Sequence, residues 1–145
     1  MAAGKEKIGV ITDGERLYDI TETIRAAIER YGVPSGIAVL FCPHVSCALA
    51  IQEAYDPLAK ADLEEFLKRL APRDLPFIKH DDEGPDDSPS HMKSLLLQPS
   101  LILIIEQGSL LLGAWQGIYL AEFRDRERER ELWLKVISDG TGKEF

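Results

Sequence analysis

The hydrophobic positions of this chain fall into short runs that suit strands and into stripes at helical spacing. Strand signals at residues 7–12 and 16–20 flank Asp13-Gly14, a turn pair of the hairpin type, so the opening reads as a hairpin. Ile20, Ile24, Ala27, Ile28 and Tyr31 then recur at helical spacing, with Asp19 or Thr21 as the cap and Gly32 with Pro34 as the stop. Residues 36–42 form a mostly apolar run bounded by turn residues, which predicts a buried strand and leaves His44 at its end. Asp56-Pro57 pairs an N-cap with proline at the first helical position, and Leu63, Phe66, Leu67 and Leu70 make the stripe of a second helix ending at Pro72.

Residues 76–89 are polar and acidic and cannot build a core, so they form a loop, ordered or mobile. Ser88-Pro89 repeats the cap-then-proline signal and places Ser90, His91 and Lys93 in the first turns of a short third helix. From Ser100 onward the signals are strands, at 101–106, 110–115, 118–124 and 130–137, which predict an antiparallel meander. Residues 124–131 alternate arginine with an acid, and their charges cancel in pairs, as at a solvated hairpin tip. With no internal repeat and no linker, residues 1–145 read as a single α+β domain, its antiparallel or mixed sheets packed with about three helices.

Composition narrows the partners. At 145 residues the chain matches one domain of ~150 residues. The longest aliphatic run, 101–105, is far below the ~18 residues of a membrane helix. Seventeen basic against 25 acidic residues leave a net charge of −8, which repels phosphate backbones and anionic headgroups. Neither nucleic acid nor a membrane is an expected partner. The first residues lack the pattern of a secretory signal, so a cytoplasmic, reducing setting is expected, with Cys42 and Cys47 as thiols.

All three histidines occupy loops or element ends: His44 after a strand, His80 in the acidic loop, His91 at a helix start. Either the fold gathers them on one divalent ion with an open position, or they are unrelated residues on polar loops. The carboxylates between Asp81 and Asp87 are solvated charge, or they orient imidazoles, hold Mg²⁺ or move protons. Glu53 is a further candidate, and Asp56 is already explained as a helix cap. Cys42 beside His44 also admits a thiol nucleophile, although a free cysteine is usually a small buried hydrophobe; a continuing strand would point Cys47 away from Cys42. Gly113-Ala114-Trp115-Gln116-Gly117 is unusual in a strand and marks a bulge, a ligand cradle or a subunit contact.

Pro43-His44, Ser46, Glu53, Asp56, His80-Asp81, Glu83-Gly84, Asp86-Asp87, Pro89-Ser90-His91, Lys93-Ser94, Gly113, Trp115-Gln116-Gly117-Ile118 and Glu122 resemble the YjbQ-like family in order and spacing. The likeness spans nearly the whole chain. That family is associated with a secondary thiamine-phosphate synthase activity, the joining of a hydroxymethylpyrimidine pyrophosphate to a thiazole phosphate with release of pyrophosphate. The resemblance implies a compact α+β fold, a homotrimer, and a metal pocket, zinc by preference, on His44, His80 and His91. Protonated imidazoles binding an anion are the alternative. It implies a small phosphorylated metabolite held by Ser46, Lys93, Trp115, Gln116 and the backbone at Gly117. Glu83 or Asp81 would accept a proton or orient an imidazole, and Mg²⁺ would accompany a pyrophosphate. Val45 and Ala114 replace threonines common in the family, which removes two hydroxyls that could hold phosphate. A metal-dependent hydrolase and a noncatalytic trimeric metal- or anion-binding module are the rival functions.

Overall fold

The computed structural model describes residues 2–140. In chain order the elements are β1 (Ala2–Asp13), β2 (Arg16–Asp19), α1 (Thr21–Arg30), β3 (Ser35–Phe41), β4 (Cys47–Glu53), α2 (Pro57–Leu70), α3 (Asp87–Leu96), β5 (Ser100–Glu106), β6 (Ser109–Leu111), β7 (Gln116–Glu122) and β8 (Glu127–Ser138). Every pairing between them is antiparallel, in a five-stranded sheet β1-β8-β3-β5-β6 and a three-stranded sheet β2-β7-β4.

The opening strands do not form a hairpin. β1 pairs with β8 and β2 with β7, and Gly14, at φ 91, turns the chain from one sheet into the other. The physical reason is length, since a four-residue partner would leave most of the β1 ladder without hydrogen bonds, whereas β8 matches it down to Asp13↔Glu127. The meander is corrected in the same way. Only β5 and β6 are joined as a hairpin, through Gln107-Gly108 at φ 51 and 78. β7 lies in the other sheet because residues 117–122 are buried on both faces, the position of a strand between a core and a helix layer.

The inner faces of the two sheets and α1 enclose one core. Ile24, Ala27 and Ile28 of α1 meet Ala38 and Leu40, Leu103 and Ile105, Leu132 and Leu134, and Leu49, Ile118 and Leu120. The N-cap position of α1 falls on Ile20, which supplies no side-chain cap, rather than on Asp19 or Thr21; Asp19 Oδ1 accepts the Thr21 N–H at 3.0 Å from one residue further out. The far side of the small sheet carries Leu17, Ala48, Tyr119, Ala121 and Phe123 under Leu63 and Leu67 of α2. The other half of the expected α2 stripe, Phe66 and Leu70, faces solvent. Asp56 accepts the Leu58 N–H as the proline-backed N-cap requires. Gly117 is fixed from within, because a Cβ there would lie 2.5 Å from Ala54 Cβ and 2.9 Å from Thr21 Oγ1.

Residues 124–131 are not a hairpin tip, since they carry the chain from β7 in one sheet to β8 in the other. Arg130 keeps the parity of Leu132, Leu134 and Val136 and is therefore buried. It donates from Nε to Glu122 Oε1 at 2.7 Å, and from Nη2 to Glu122 Oε2 at 2.6 Å and Ser46 Oγ at 2.8 Å. Thr12 Oγ1 donates to the same carboxylate at 2.7 Å. Burial pushes the Glu122 carboxyl up, but Arg130 and Thr12 outweigh it and hold the group below the usual carboxylate range. Burial likewise works against the Arg130 charge, and Glu122 prevails, raising the guanidinium.

On the solvent side of the large sheet, Ile37 faces Ile104 and Ile137, Val39 faces Ile102, and Phe41 faces Trp133. Ile102 is 73% exposed and Ile104 52%. Among the described residues, no helix is long and apolar enough to cross a membrane.

Candidate metal site at the acidic loop

Helix α3 begins two residues earlier than Ser88-Pro89 suggests, at Asp87 after Asp86, and Pro89 falls in its first turn, where a missing amide costs no helical bond. Asp87 and His91 are thereby four residues apart on one helix face. His80 reaches the same carboxylate from the preceding loop. Its Nε2 lies 2.8 Å from Asp87 Oδ2, and His91 Nε2 lies 3.2 Å from that same oxygen. His80, Asp87 and His91 offer ligand atoms within 4.8 Å of one another, and among the described residues they are the group that could hold a metal ion.

The His91 ring fixes the chemistry further. Its Nδ1 lies 2.7 Å from the Val45 carbonyl, which can only accept, so Nδ1 carries the proton. With Nδ1 committed as a donor, Nε2 faces a carboxylate oxygen of Asp87 at 3.2 Å, an arrangement that a cation between them suits. Donation of the second ring nitrogen to a backbone carbonyl is how metal-bound histidines are commonly oriented. Two ligand atoms ~2.0 Å from a tetrahedral zinc lie ~3.3 Å apart, close to the His91–Asp87 separation.

Arg124 fastens the site from behind. Its Nη1 donates to Asp87 Oδ1 at 2.7 Å, its Nε to Asp86 Oδ2 at 2.9 Å, and its Nη2 to the Glu83 carbonyl at 2.9 Å. Burial would raise the Asp86 carboxyl, but the Asp125 N–H and Arg124 overcome it and hold the group low. The acidic stretch is thus an ordered loop, tied at its end by a guanidinium. Two hollows flank the rings, whose centroids lie 5.5 Å apart. One, about 380 Å³, is lined by His80, Asp81, Gly84 and Arg73; the other, about 480 Å³, by His44, Val45, His91, Ser94 and Leu95.

His44 lines the second hollow but stands outside the cluster, with Nε2 3.0 Å from the Glu131 carbonyl and 3.1 Å from its N–H. Asp81 and Glu83 are exposed on the loop beside His80. Lys93 is buried and paired with Glu15, and Ser46 is buried against Arg130, so both are turned inward rather than toward a ligand in either hollow. Trp115, its ring edge-on to Tyr55 at 4.6 Å, and Gln116, whose Oε1 accepts the Gly113 N–H at 2.8 Å, sit with Gly117 at the far end of β7. That end is ~20 Å along the strand from Glu122, so within one chain the segment does not join the histidines. Cys42 and Cys47 carry free thiols with sulfurs 3.5 Å apart, which corrects the expectation that they point apart. The chain turns sharply after Cys42 instead of continuing as a strand. The Cys47 thiol, donated to the Cys42 sulfur, holds Cys42 below the usual thiol range, and the same bond with burial pushes Cys47 up.

Arg124 is the residue that sequence reasoning passed over, and Asp87, counted there among the carboxylates of the acidic loop, was not singled out from them. The signal for Asp87 was its spacing of four from His91, masked by the stronger proline cue. Arg124 was hidden in the alternating charges.

Two antiparallel sheets around one core define an α+β protein, and a carboxylate between two imidazoles at the start of a helix gives it a candidate metal site. The chain belongs to the UPF0047 protein YjbQ-like family, whose sequence profile matches residues 6–139. A UPF0047 protein of Synechocystis is 37% identical over 135 residues, covering 93% of this chain and 92% of its own length. Another, from Methanocaldococcus jannaschii, is 43% identical over 125 residues, covering 86% and 87%. The crystal structure of an uncharacterized YjbQ/UPF0047-family protein from Clostridium acetobutylicum has a TM-score of 0.82 at 35% identity, covering 91% of this chain and 99% of that one. A YbjQ-like protein of unknown function from Sulfolobus solfataricus, 20% identical, shares the fold at a TM-score of 0.80, covering 93% of this chain and 98% of its own.

Proposed function

We propose that His80, Asp87 and His91 hold a divalent ion, zinc by the chemistry of the ligands, and that the site acts on a small phosphorylated metabolite. The observation that carries this reading is the convergence of two imidazole Nε2 atoms on one buried carboxylate oxygen, with the His91 Nδ1 proton committed to Val45. Such an ion, when bound, neutralises a departing phosphate or pyrophosphate and lowers the pKa of a bound water. The chain's own groups do the rest. Arg124 holds Asp87 in place, Arg73, itself paired with Asp125 at 2.8 Å, lines the His80 hollow, and Glu83 accepts a proton at the loop. The working reaction is the thiamine-phosphate-synthase-like transfer suggested by the resemblance to the YjbQ-like family, with Mg²⁺ accompanying the pyrophosphate.

Elemental analysis of protein purified without chelator tests the site first. Near-stoichiometric zinc supports it, and the absence of any metal turns the reading toward an anion site or a binding module. Pyrophosphate release from the pyrimidine and thiazole substrates then separates the transferase from a hydrolase, which would instead release phosphate from either substrate alone. Glu83→Gln is expected to leave the melting temperature and metal content unchanged while abolishing turnover, because Glu83 supports the fold through its carbonyl, not its side chain. Unaltered turnover removes Glu83 from the mechanism.

The homotrimer of the family resemblance finds support in the exposed apolar face formed by Ile37, Ile102, Ile104 and Ile137. Contiguous apolar surface of this kind marks an association site. In that assembly the substrate contacts of Trp115, Gln116 and Gly117 come from a neighbouring subunit. Light scattering should give a trimer for the native chain and a monomer for Ile102→Glu/Ile104→Glu. A native monomer would defeat this part of the reading.

A further inference from the structure

Cys42 follows the last residue of β3 in the large sheet, and Cys47 is the first residue of β4 in the small one. Their sulfurs meet 3.5 Å apart between the two sheets, both in the main core cluster and at most 2% exposed. We propose that these thiols form a reversible intramolecular disulfide on reaction with hydrogen peroxide, and that the bond reshapes the loop carrying His44. This inference stands on the sulfur geometry and is independent of the metal reading.

A disulfide bond is ~2.05 Å long, so the sulfurs must close by ~1.5 Å. The four residues between them, Pro43, His44, Val45 and Ser46, take up that movement. Among them the Val45 carbonyl holds His91 Nδ1 of the candidate site, while His44 Nε2 meets the Glu131 backbone and Ser46 Oγ accepts from Arg130. Buried isolated cysteines are ordinarily inert. Here a second sulfur waits within reach, which sets this pair apart from a lone thiol.

The chemistry balances with peroxide as the oxidant. One sulfur attacks a peroxide oxygen, forming an S–O bond as the O–O bond breaks, and the departing hydroxide leaves as water with the thiol proton. The sulfenic acid then meets the second sulfur; the S–S bond forms, the S–O bond breaks, and a second water leaves with the remaining thiol proton. Two thiols are oxidised and peroxide is reduced to water. A small uncharged oxidant suits a buried pair, whereas a bulky peptide disulfide cannot reach it.

The test uses the full chain, exposed natively to a small excess of hydrogen peroxide, then denatured and alkylated. The expected result is that both alkylatable thiols disappear, that the intact mass falls by two hydrogens, that the chain stays unlinked to others on a nonreducing gel, and that dithiothreitol restores both thiols. Retention of two alkylatable thiols, or a bond between chains, overturns the disulfide. Cys47→Ala should instead stop at a sulfenic acid on Cys42 that dimedone traps; if that variant does not fold, the wild-type mass decides alone. The imidazole resonances of His44 and His91 should shift on oxidation and return on reduction, and unchanged resonances would overturn the coupling to the loop.

Discussion

Arg130→Met is expected to destabilise the protein by about 3–5 kcal/mol, because it strands a fully buried carboxylate without its cation. For a chain of this size that is a fall in Tm on the order of 10 °C. Glu122 has no route to water, and its remaining partners, Thr12 Oγ1 and the Phe123 and Arg124 N–H groups, cannot neutralise it. Replacing both members together, Glu122→Leu with Arg130→Met, should recover part of the loss, since a well-packed apolar pair removes the stranded charge. The pH dependence gives a second readout. Because the Glu122 carboxyl is held below the ~4.3 of a free glutamate, its contribution is complete above that value and is lost as pH falls through the folded-state value. Wild-type Tm should therefore drop in acid more steeply than that of Arg130→Met. Equal stability of the two proteins in chemical denaturation at neutral pH would show that the pair is not the tie between β7 and β8 that its geometry describes.

His91→Ala and Asp87→Ala are expected to lose bound zinc altogether. Removing an outer partner of a metal ligand costs ~10–100-fold in affinity, and removing a ligand itself costs more. Arg124→Ala falls in the milder class, since it frees the Asp87 Oδ1 that the guanidinium fixes. Elemental analysis of dialysed variants gives the order directly. Full occupancy in His91→Ala means that the ligand set is wrong. His44→Ala discriminates further: retained zinc fits a ring committed to the Glu131 backbone, and lost zinc supports the three-histidine set of the family resemblance.

Much of the element list was readable, because β3, β5 and α1 each follow one clean period. β4 was not, since Ala48 and Ala50 dilute its apolar run and no turn pair announces its start. Sheet membership was hidden for a deeper reason. A period of two states which face a residue occupies and says nothing about which strand lies beside it, so β1 and β2 looked like partners when each pairs far downstream. The arginines show both sides of this. Arg130 shares the parity of Leu132 and Leu134, so its burial was legible from register, while the cancelling charges of residues 124–131 invited a solvent-facing interpretation. Arg124 had no such clue, because its partners, Asp86 and Asp87, are adjacent only after the chain has folded. The same holds for Val45, which acts through a backbone carbonyl that no side-chain pattern records.

The place of β8 in the large sheet bears on how the protein reaches its native state. It lies between β1 and β3, so Ile8 waits for Leu132 and Ala38 for Val136. During synthesis the first strands emerge well before their neighbour, and Glu122 before Arg130. Pairings this remote in sequence place folding in the slow, millisecond-to-second range. A chain stalled before β8 would expose two unpaired strand edges, the condition in which nascent β proteins aggregate or recruit chaperones.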